Sequence, residues 1–295
     1  MFTGMSAFPL TPMNETGVDE VAFIRLLKRI TSAKVNSIAV LGSTGSYVYL
    51  SREERFRITQ LAVEHSEGIP IVIGISALRT RDVLYLADDA QKLGAHGVLL
   101  SPVSYQPLTD MEVYSLYDMV ASSLSVPLCV YDNPTTTHFQ FSDELHGKIA
   151  ALQQVRSIKI PGVPKEIDAA KERVKQLRAY LPSDVTIGVS GDPYGAVGLN
   201  AGCDAWYSVL GGLYPEICMK IARAALAGQS ELADNLSNRL APLWQMFLKY
   251  GSLRVIATIA EMLGLTDTPN LPLPLQSLNG AARLELETML PILDN

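Results

Sequence analysis

Eight short runs rich in β-branched and aliphatic residues alternate along this chain with eight amphipathic stretches, and that alternation restricts the fold more than any other feature. The runs are 4–8, 37–41, 69–75, 97–100, 126–131, 155–160, 185–189 and 205–209, and the helical patterns fall near 18–32, 51–66, 80–93, 110–124, 142–152, 164–181, 192–201 and 215–227. Strand–helix units at this spacing predict a parallel sheet, and eight is the number that closes a (β/α)₈ TIM barrel. An open doubly wound sheet is the rival, but the Gly-x-Gly-x-x-Gly turn expected after its first strand is absent. Ser51 and Glu54 read as a capping box opening the second helix, and Gly94 and Gly228 stand where helix ends want a positive φ. After the eighth unit the pattern is helical only, at 230–250, 253–263 and 278–293, with a Pro-rich loop at 268–275. The expected organisation is a barrel over 1–228 followed by an all-helical segment over 229–295.

Composition narrows the function classes. With 295 residues, 48% hydrophobic and 18% charged, the chain can bury a large core, as one α/β domain or two smaller ones. A net charge of -6 and the lack of a basic run argue against nucleic acid or an anionic membrane as partner. Cys129, Cys203 and Cys218 have neither disulfide nor zinc spacing and read as core residues in a reducing compartment. No basic-then-apolar leader opens the chain and no run is long enough to span a membrane, so the expected location is the cytoplasm. His65, His96, His138 and His146 show no ligand pairing, so neither a metal nor another cofactor is expected.

Lys159 is the residue with the most chemistry to offer. It lies in Val155-Arg156-Ser157-Ile158-Lys159-Ile160, closed by Pro161-Gly162. Alternation along a strand puts Ile158 and Ile160 on one face and Lys159 on the other. If helices cover the isoleucines, the amine points into the barrel; on an edge strand it would face water, the commoner state of a lysine. A buried amine without a carboxylate beside it resists protonation, and a free amine attacks ketones to form Schiff bases. In a barrel of this kind the active site gathers at the C-terminal ends of the strands. There the second strand offers Gly42-Ser43-Thr44-Gly45, a turn whose N–H groups and hydroxyls suit a small carboxylate, although many bland turns share its composition. The fifth offers Tyr131, inward if Val130 faces the helices and then a proton carrier beside Lys159. The seventh ends in Ser190-Gly191-Asp192-Pro193, which suits a capped turn at least as well as substrate binding.

Taken together, Gly42-Ser43-Thr44-Gly45, Tyr131 three residues before Pro134, Lys159 in Ser-Ile-Lys-Ile, and Ser190-Gly191-Asp192 resemble the dihydrodipicolinate synthase / N-acetylneuraminate lyase family. The likeness runs from Phe2-Thr3-Gly4 to Pro272-Leu273-Pro274. It implies a (β/α)₈ barrel with C-terminal helices, usually a homotetramer. It also implies a Schiff base between Lys159 and pyruvate or another 2-oxo acid, with Tyr131 relaying protons. Ser43 and Thr44 would hold the carboxylate, and the carbonyl of Tyr207 would help orient the site.

Three positions depart from the family pattern. Ser46 follows the Gly-Ser-Thr-Gly turn where Glu is usual. Thr136 stands where the synthases carry an Arg that grips the carboxylate of aspartate semialdehyde, and a hydroxyl does not replace a bidentate charged contact. Ser104 occupies the place of a Tyr that reaches into the neighbouring subunit, with Tyr105 one step on. The expected activity is therefore a Schiff-base lyase or aldolase acting on pyruvate and a sugar-derived or otherwise hydroxylated partner. The alternatives are the aspartate-semialdehyde-using synthase and a non-catalytic barrel, either a 2-oxo-acid sensor or a structural subunit.

Overall fold

In a computed structural model, which describes residues 1–293, the eight expected strands close into one parallel barrel. They are Gly4–Ala7, Ser37–Val40, Ile71–Gly74, Gly97–Leu100, Leu128–Tyr131, Val155–Ile160, Thr186–Ser190 and Ala205–Ser208, called first to eighth below. The first strand pairs with both the second and the eighth, which closes the cylinder. Several strands are shorter than their apolar runs: in the third and fifth the strand begins only after Pro70 and Pro127, and elsewhere it ends a residue before the run does.

Alternation within the strands divides the core into two layers. Ile38, Val40, Ile71, Ile73, Val98, Leu100, Leu128, Val130, Ile158, Ile160, Ile187, Val189 and Trp206 face the helices and belong to the larger apolar cluster. The residues between them, Ala39, Val72, Leu99, Cys129, Tyr131, Ala205 and Tyr207, join Phe2 and Phe8 in a separate cluster inside the barrel. Space in that interior is limiting: a Cβ on Gly188 would lie 2.2 Å from the Tyr207 ring, so the seventh strand gives up its side chain to the eighth.

The helices follow their local signals. Asp19 caps Glu20–Ser32, and the capping box of Ser51 with Glu54 opens Arg52–Glu64. Gly94 and Gly228 take φ of 86° and 75°. The single helix expected over 230–250 is instead two, Ser230–Arg239 and Ala241–Tyr250, meeting at Leu240. Pro242 explains the break: inside a helix it would lose a backbone hydrogen bond and clash with the preceding turn, whereas in a first turn its missing N–H costs nothing. The segment 192–201 likewise divides into a 3₁₀ turn, Asp192–Tyr194, and the helix Gly195–Asn200. The stretch 278–293 divides into Gly280–Glu287 and Leu290–Leu293, with Pro291 in the first turn of the second. A two-residue hairpin, Met13–Asn14 with Gly17–Val18, follows the first strand and is too short to show in the hydrophobic pattern. The C-terminal helices pack Leu240, Leu243, Trp244, Phe247, Ile256 and Leu286 into the same apolar layer that covers the barrel. Among the described residues, no helix is long and apolar enough to cross a membrane.

Asp192 ties two strand-end loops together. It is 2% exposed, and its Oδ2 accepts a hydrogen bond of 2.8 Å from the N–H of Leu210, at the start of the 3₁₀ turn that follows the eighth strand. Burial raises its pKa from 3.8 to about 6, against the opposing hydrogen bond from Leu210. A carboxyl whose native pKa lies above its unfolded value binds its proton more tightly in the fold. The stability linked to that proton is fully present below about pH 4 and is lost as pH rises through about 6. Roughly two units correspond to about 3 kcal/mol. Asp192→Asn, which keeps an acceptor for Leu210, should therefore gain stability relative to the parent as pH rises from 4 to 7. Urea titrations across that range check this, and a pH-independent difference refutes it.

Candidate active site

The sixth strand carries Lys159 to the C-terminal end of the barrel and turns it inward, as its alternation requires. The side chain is 4% exposed, and Ile158 and Ile160 lie in the outer layer. Lys159 is the cross-strand partner of Tyr131 in the fifth strand. Its Nζ lies 4.0 Å from the ring centre of Phe8 and 3.8 Å from that of Tyr131, with Tyr207 at 5.6 Å. Ring faces attract an ammonium and hold it in place. None of the ion pairs among the described residues involves Lys159.

The floor beneath the amine is polar but uncharged. Tyr207 Oη and Ser157 Oγ are 2.7 Å apart, and Thr186 Oγ1 donates to the same Ser157 oxygen at 2.9 Å. Cys129 Sγ lies 3.5 Å from the Tyr207 hydroxyl. Burial pushes the Tyr207 phenol well above its ordinary value of 10, and the Cys129 thiol also rises. Both stay protonated at neutral pH, so no anion sits below Lys159. Tyr207, expected from the resemblance to matter through its carbonyl, also fills the interior with its ring, which meets Phe8 edge-on at 5.8 Å.

The turn after the second strand reaches the amine through Phe8. A Cβ on Gly42 would lie 2.9 Å from the Phe8 ring, and one on Gly45 would lie 2.9 Å from the N of Leu41. Leu41 and Ser46, either side of the turn, both have left-handed backbones, with φ of 58° and 52°. Such conformations cost on the order of 1–3 kcal/mol for residues with side chains and persist only where packing imposes them. The turn is thus pressed against the barrel mouth, with Thr44 buried and Ser43 partly open to solvent.

The Tyr131 hydroxyl accepts a hydrogen bond of 2.9 Å from Asn133 Nδ2, and among the described residues none links it to Ser43 or Thr44. The Asn133 amide competes because the chain doubles back there into a short helix, Pro134–Thr137. Thr136 is exposed on that turn, with its hydroxyl 3.4 Å from the Asn133 carbonyl, while Thr137 faces inward and bonds the same carbonyl at 3.0 Å. Gly191 has a φ of 83°, and Asp192 is committed to Leu210 as described above. Asp192 thus ties its loop to the one after the eighth strand through one carboxylate oxygen. Behind the Tyr131 loop, Asp132 Oδ2 lies 3.4 Å from His146 Nε2, and that imidazole stacks on Phe141 at 4.8 Å.

Sequence reading missed Phe8, Asn133, Ser157 and Thr186. Ser157 and Thr186 had a usable signal, since each sits two residues before an inward position of its strand, Lys159 and Gly188; Phe8 lies one residue past its strand, and Asn133 acts through a side-chain hydrogen bond that no local pattern encodes.

Comparison with known proteins agrees with this geometry. A family model described as the dihydrodipicolinate synthetase family matches residues 1–293. A 4-hydroxy-tetrahydrodipicolinate synthase from Rickettsia rickettsii (strain Sheila Smith) is 28% identical over 292 residues, covering 98% of this chain and 97% of its own. The crystal structure of a dihydrodipicolinate synthase from Agrobacterium tumefaciens aligns with a TM-score of 0.95 and 44% identity, over 99% of this chain and 98% of its own. A chloride-inhibited dihydrodipicolinate synthase from Acinetobacter baumannii, complexed with pyruvate, aligns with a TM-score of 0.89 at 25% identity, over 100% and 99%. Full-length agreement of sequence, barrel and helical tail makes this chain a member of the dihydrodipicolinate synthetase family, an enzyme of the lyase, class I aldolase type.

Proposed function

We propose that Lys159 forms a Schiff base with pyruvate or the 2-oxo end of a larger acid, and that the enzyme makes or breaks the adjoining carbon–carbon bond of a hydroxylated 2-oxo acid. The observation that carries this reading is the buried Lys159 amine, ringed by Phe8 and Tyr131 and free of any ion pair among the described residues. The amine attacks the ketone carbon, water leaves, and the resulting iminium draws electrons from the neighbouring carbon. Tyr131, one strand away, is placed to exchange protons with that carbon and with the leaving water. Ser43 and Thr44, with the N–H groups of the turn from Gly42 to Gly45, receive the carboxylate. A homotetramer in a reducing cytoplasm belongs to the same reading and fits three free, buried cysteines.

The substrate reading rests on Thr136. A charged hydrogen bond from an arginine contributes roughly 1.5–3 kcal/mol, so its absence should cost a carboxylate-bearing aldehyde about one to two orders of magnitude. The exposed Thr135 and Thr136 hydroxyls suit polyol or uncharged aldehyde groups instead. A 2-oxo-3-deoxy sugar acid has that chemistry.

Incubation with pyruvate and borohydride, followed by peptide mapping, should place the reduced adduct on Lys159. No adduct, or one on another lysine, refutes the mechanism and favours a 2-oxo-acid sensor.

Tyr131→Phe should lower turnover by about 10²–10⁴-fold while the adduct still forms. Steady-state rates beside borohydride trapping separate the two effects, and near-normal turnover removes Tyr131 from the chemistry.

Cleavage of 2-oxo-3-deoxy sugar acids should exceed, in kcat/KM, the condensation of pyruvate with aspartate semialdehyde. The reverse order would identify the enzyme as the synthase named for its Rickettsia relative and show that another cation replaces the missing Arg.

A further inference from the structure

A second tyrosine lies at the barrel mouth, inside the same chain. Tyr47 opens the 3₁₀ turn Tyr47–Tyr49, directly after the left-handed Ser46, and is 7% exposed. Its hydroxyl lies 3.4 Å from Ser101 Oγ. Ser101 Oγ lies 3.0 Å from Ser76 Oγ, and the Ser101 N–H donates to Ser76 Oγ at 2.8 Å. All three side chains are buried. The Tyr47 ring is held by Arg55, whose guanidinium carbon is 5.3 Å from the ring centre and whose two NH groups donate to the carbonyls of Ser76 and Gly74.

Strand register places this cluster beside the amine. Gly74 pairs with Leu99 and Leu100 with Val130. One or two residues further along, Ser76 is level with Ser101, and Ser101 with Tyr131, which pairs with Lys159. Leu99 and Tyr131 face the interior, so Ser101, two residues after Leu99, faces it too. The rim thus carries a row of inward groups on four successive strands: Ser76, Ser101, Tyr131, Lys159. Tyr47 reaches the row at Ser101 from the turn that begins at Gly42. By contrast Tyr105, one step from the position from which synthases send a Tyr into the neighbouring subunit, is 92% exposed on this chain.

We propose that Tyr47 is a positioning residue that, through Ser101, carries protons between Tyr131 and solvent within a single chain. The inference rests on the Schiff-base reading above. In the enamine-forming step the C3–H bond of the pyruvate iminium breaks. Its electron pair becomes the C2–C3 double bond, and the C=N π pair returns to the Lys159 nitrogen. Tyr131 Oη takes the proton from C3 and passes its own to Ser101, directly or across one water. Ser101 passes its own proton to Tyr47, and Tyr47 releases one to bulk water, so the positive charge of the iminium leaves as a single proton.

The test follows two readouts on the full-length enzyme: the borohydride-trapped pyruvate adduct, and the exchange of pyruvate methyl hydrogens for deuterium in heavy water, followed by NMR. Tyr47→Phe should slow exchange by at least about tenfold while adduct yield stays near that of the parent, a separation that loss of structure would not produce. Ser101→Ala should do the same, and Tyr105→Phe should exchange at the parental rate. Parental exchange in Tyr47→Phe and Ser101→Ala overturns the proposal, as does slow exchange confined to Tyr105→Phe, which would assign the route to a neighbouring subunit. An unmodified enzyme that traps no adduct overturns the Schiff-base reading itself, a result distinct from either.

Discussion

Everything at this site depends on the two-residue period of the strands and on how little room the closed barrel leaves inside. Each strand gives one side chain in two to the helices and the other to an interior too narrow for bulky residues on every strand. The outer positions accept this with isoleucine, valine and leucine, which pack against the helical layer. The inner positions cannot all be large, and Gly188 yields its place so that the Tyr207 ring can lie across the barrel. That ring and its hydroxyl network then form the floor on which Lys159 stands.

The hydroxyl network beneath Lys159 is tolerable because its members satisfy one another. A buried hydroxyl left without a partner costs about 1–3 kcal/mol, more than a typical hydrogen bond returns. Ser157 meets the demand by bonding both Tyr207 and Thr186, and the Tyr207 phenol remains neutral because burial disfavours its anion. A carboxylate in the same place would have formed an ion pair with Lys159. Neutral hydroxyls below and aromatic faces beside it give the amine defined surroundings without a counter-charge.

Much of this was legible in the sequence, for a specific reason. The barrel and the inward turn of Lys159 and Tyr131 follow from alternation, which is local and survives any error in strand ends. Capping at Ser51 is equally local. The split at Leu240 was legible in principle, since Pro242 states it, but the apolar periodicity on both sides overrides the eye. Contacts that depend on which strands become neighbours, and at what register, were not legible. The row from Ser76 through Ser101 to Tyr131 joins three strands separated by long helices, and nothing within any one of them marks its serine as special. Asn133 was hidden for another reason: the short helical turn it precedes folds its amide back onto Tyr131, and four residues are too few to show a period.

The turn from Gly42 to Gly45 shows how the layers constrain one another. Its flanking residues, Leu41 and Ser46, keep left-handed backbones that neither would choose alone. Gly74 supplies part of the reason: a Cβ there would lie 1.9 Å from the Leu41 carbonyl, so the end of the third strand is pared back to let the turn descend. Phe8 supplies the rest by packing under Gly42 while presenting its face to Lys159. The descent buries Thr44, and the left-handed Ser46 that ends it aims Tyr47 at Ser101. A longer side chain at position 46 would have to share the buried space that Ser46 now occupies at 2% exposure. The small residue found where the family usually has Glu and the large Tyr47 beside it are therefore two parts of one packing solution.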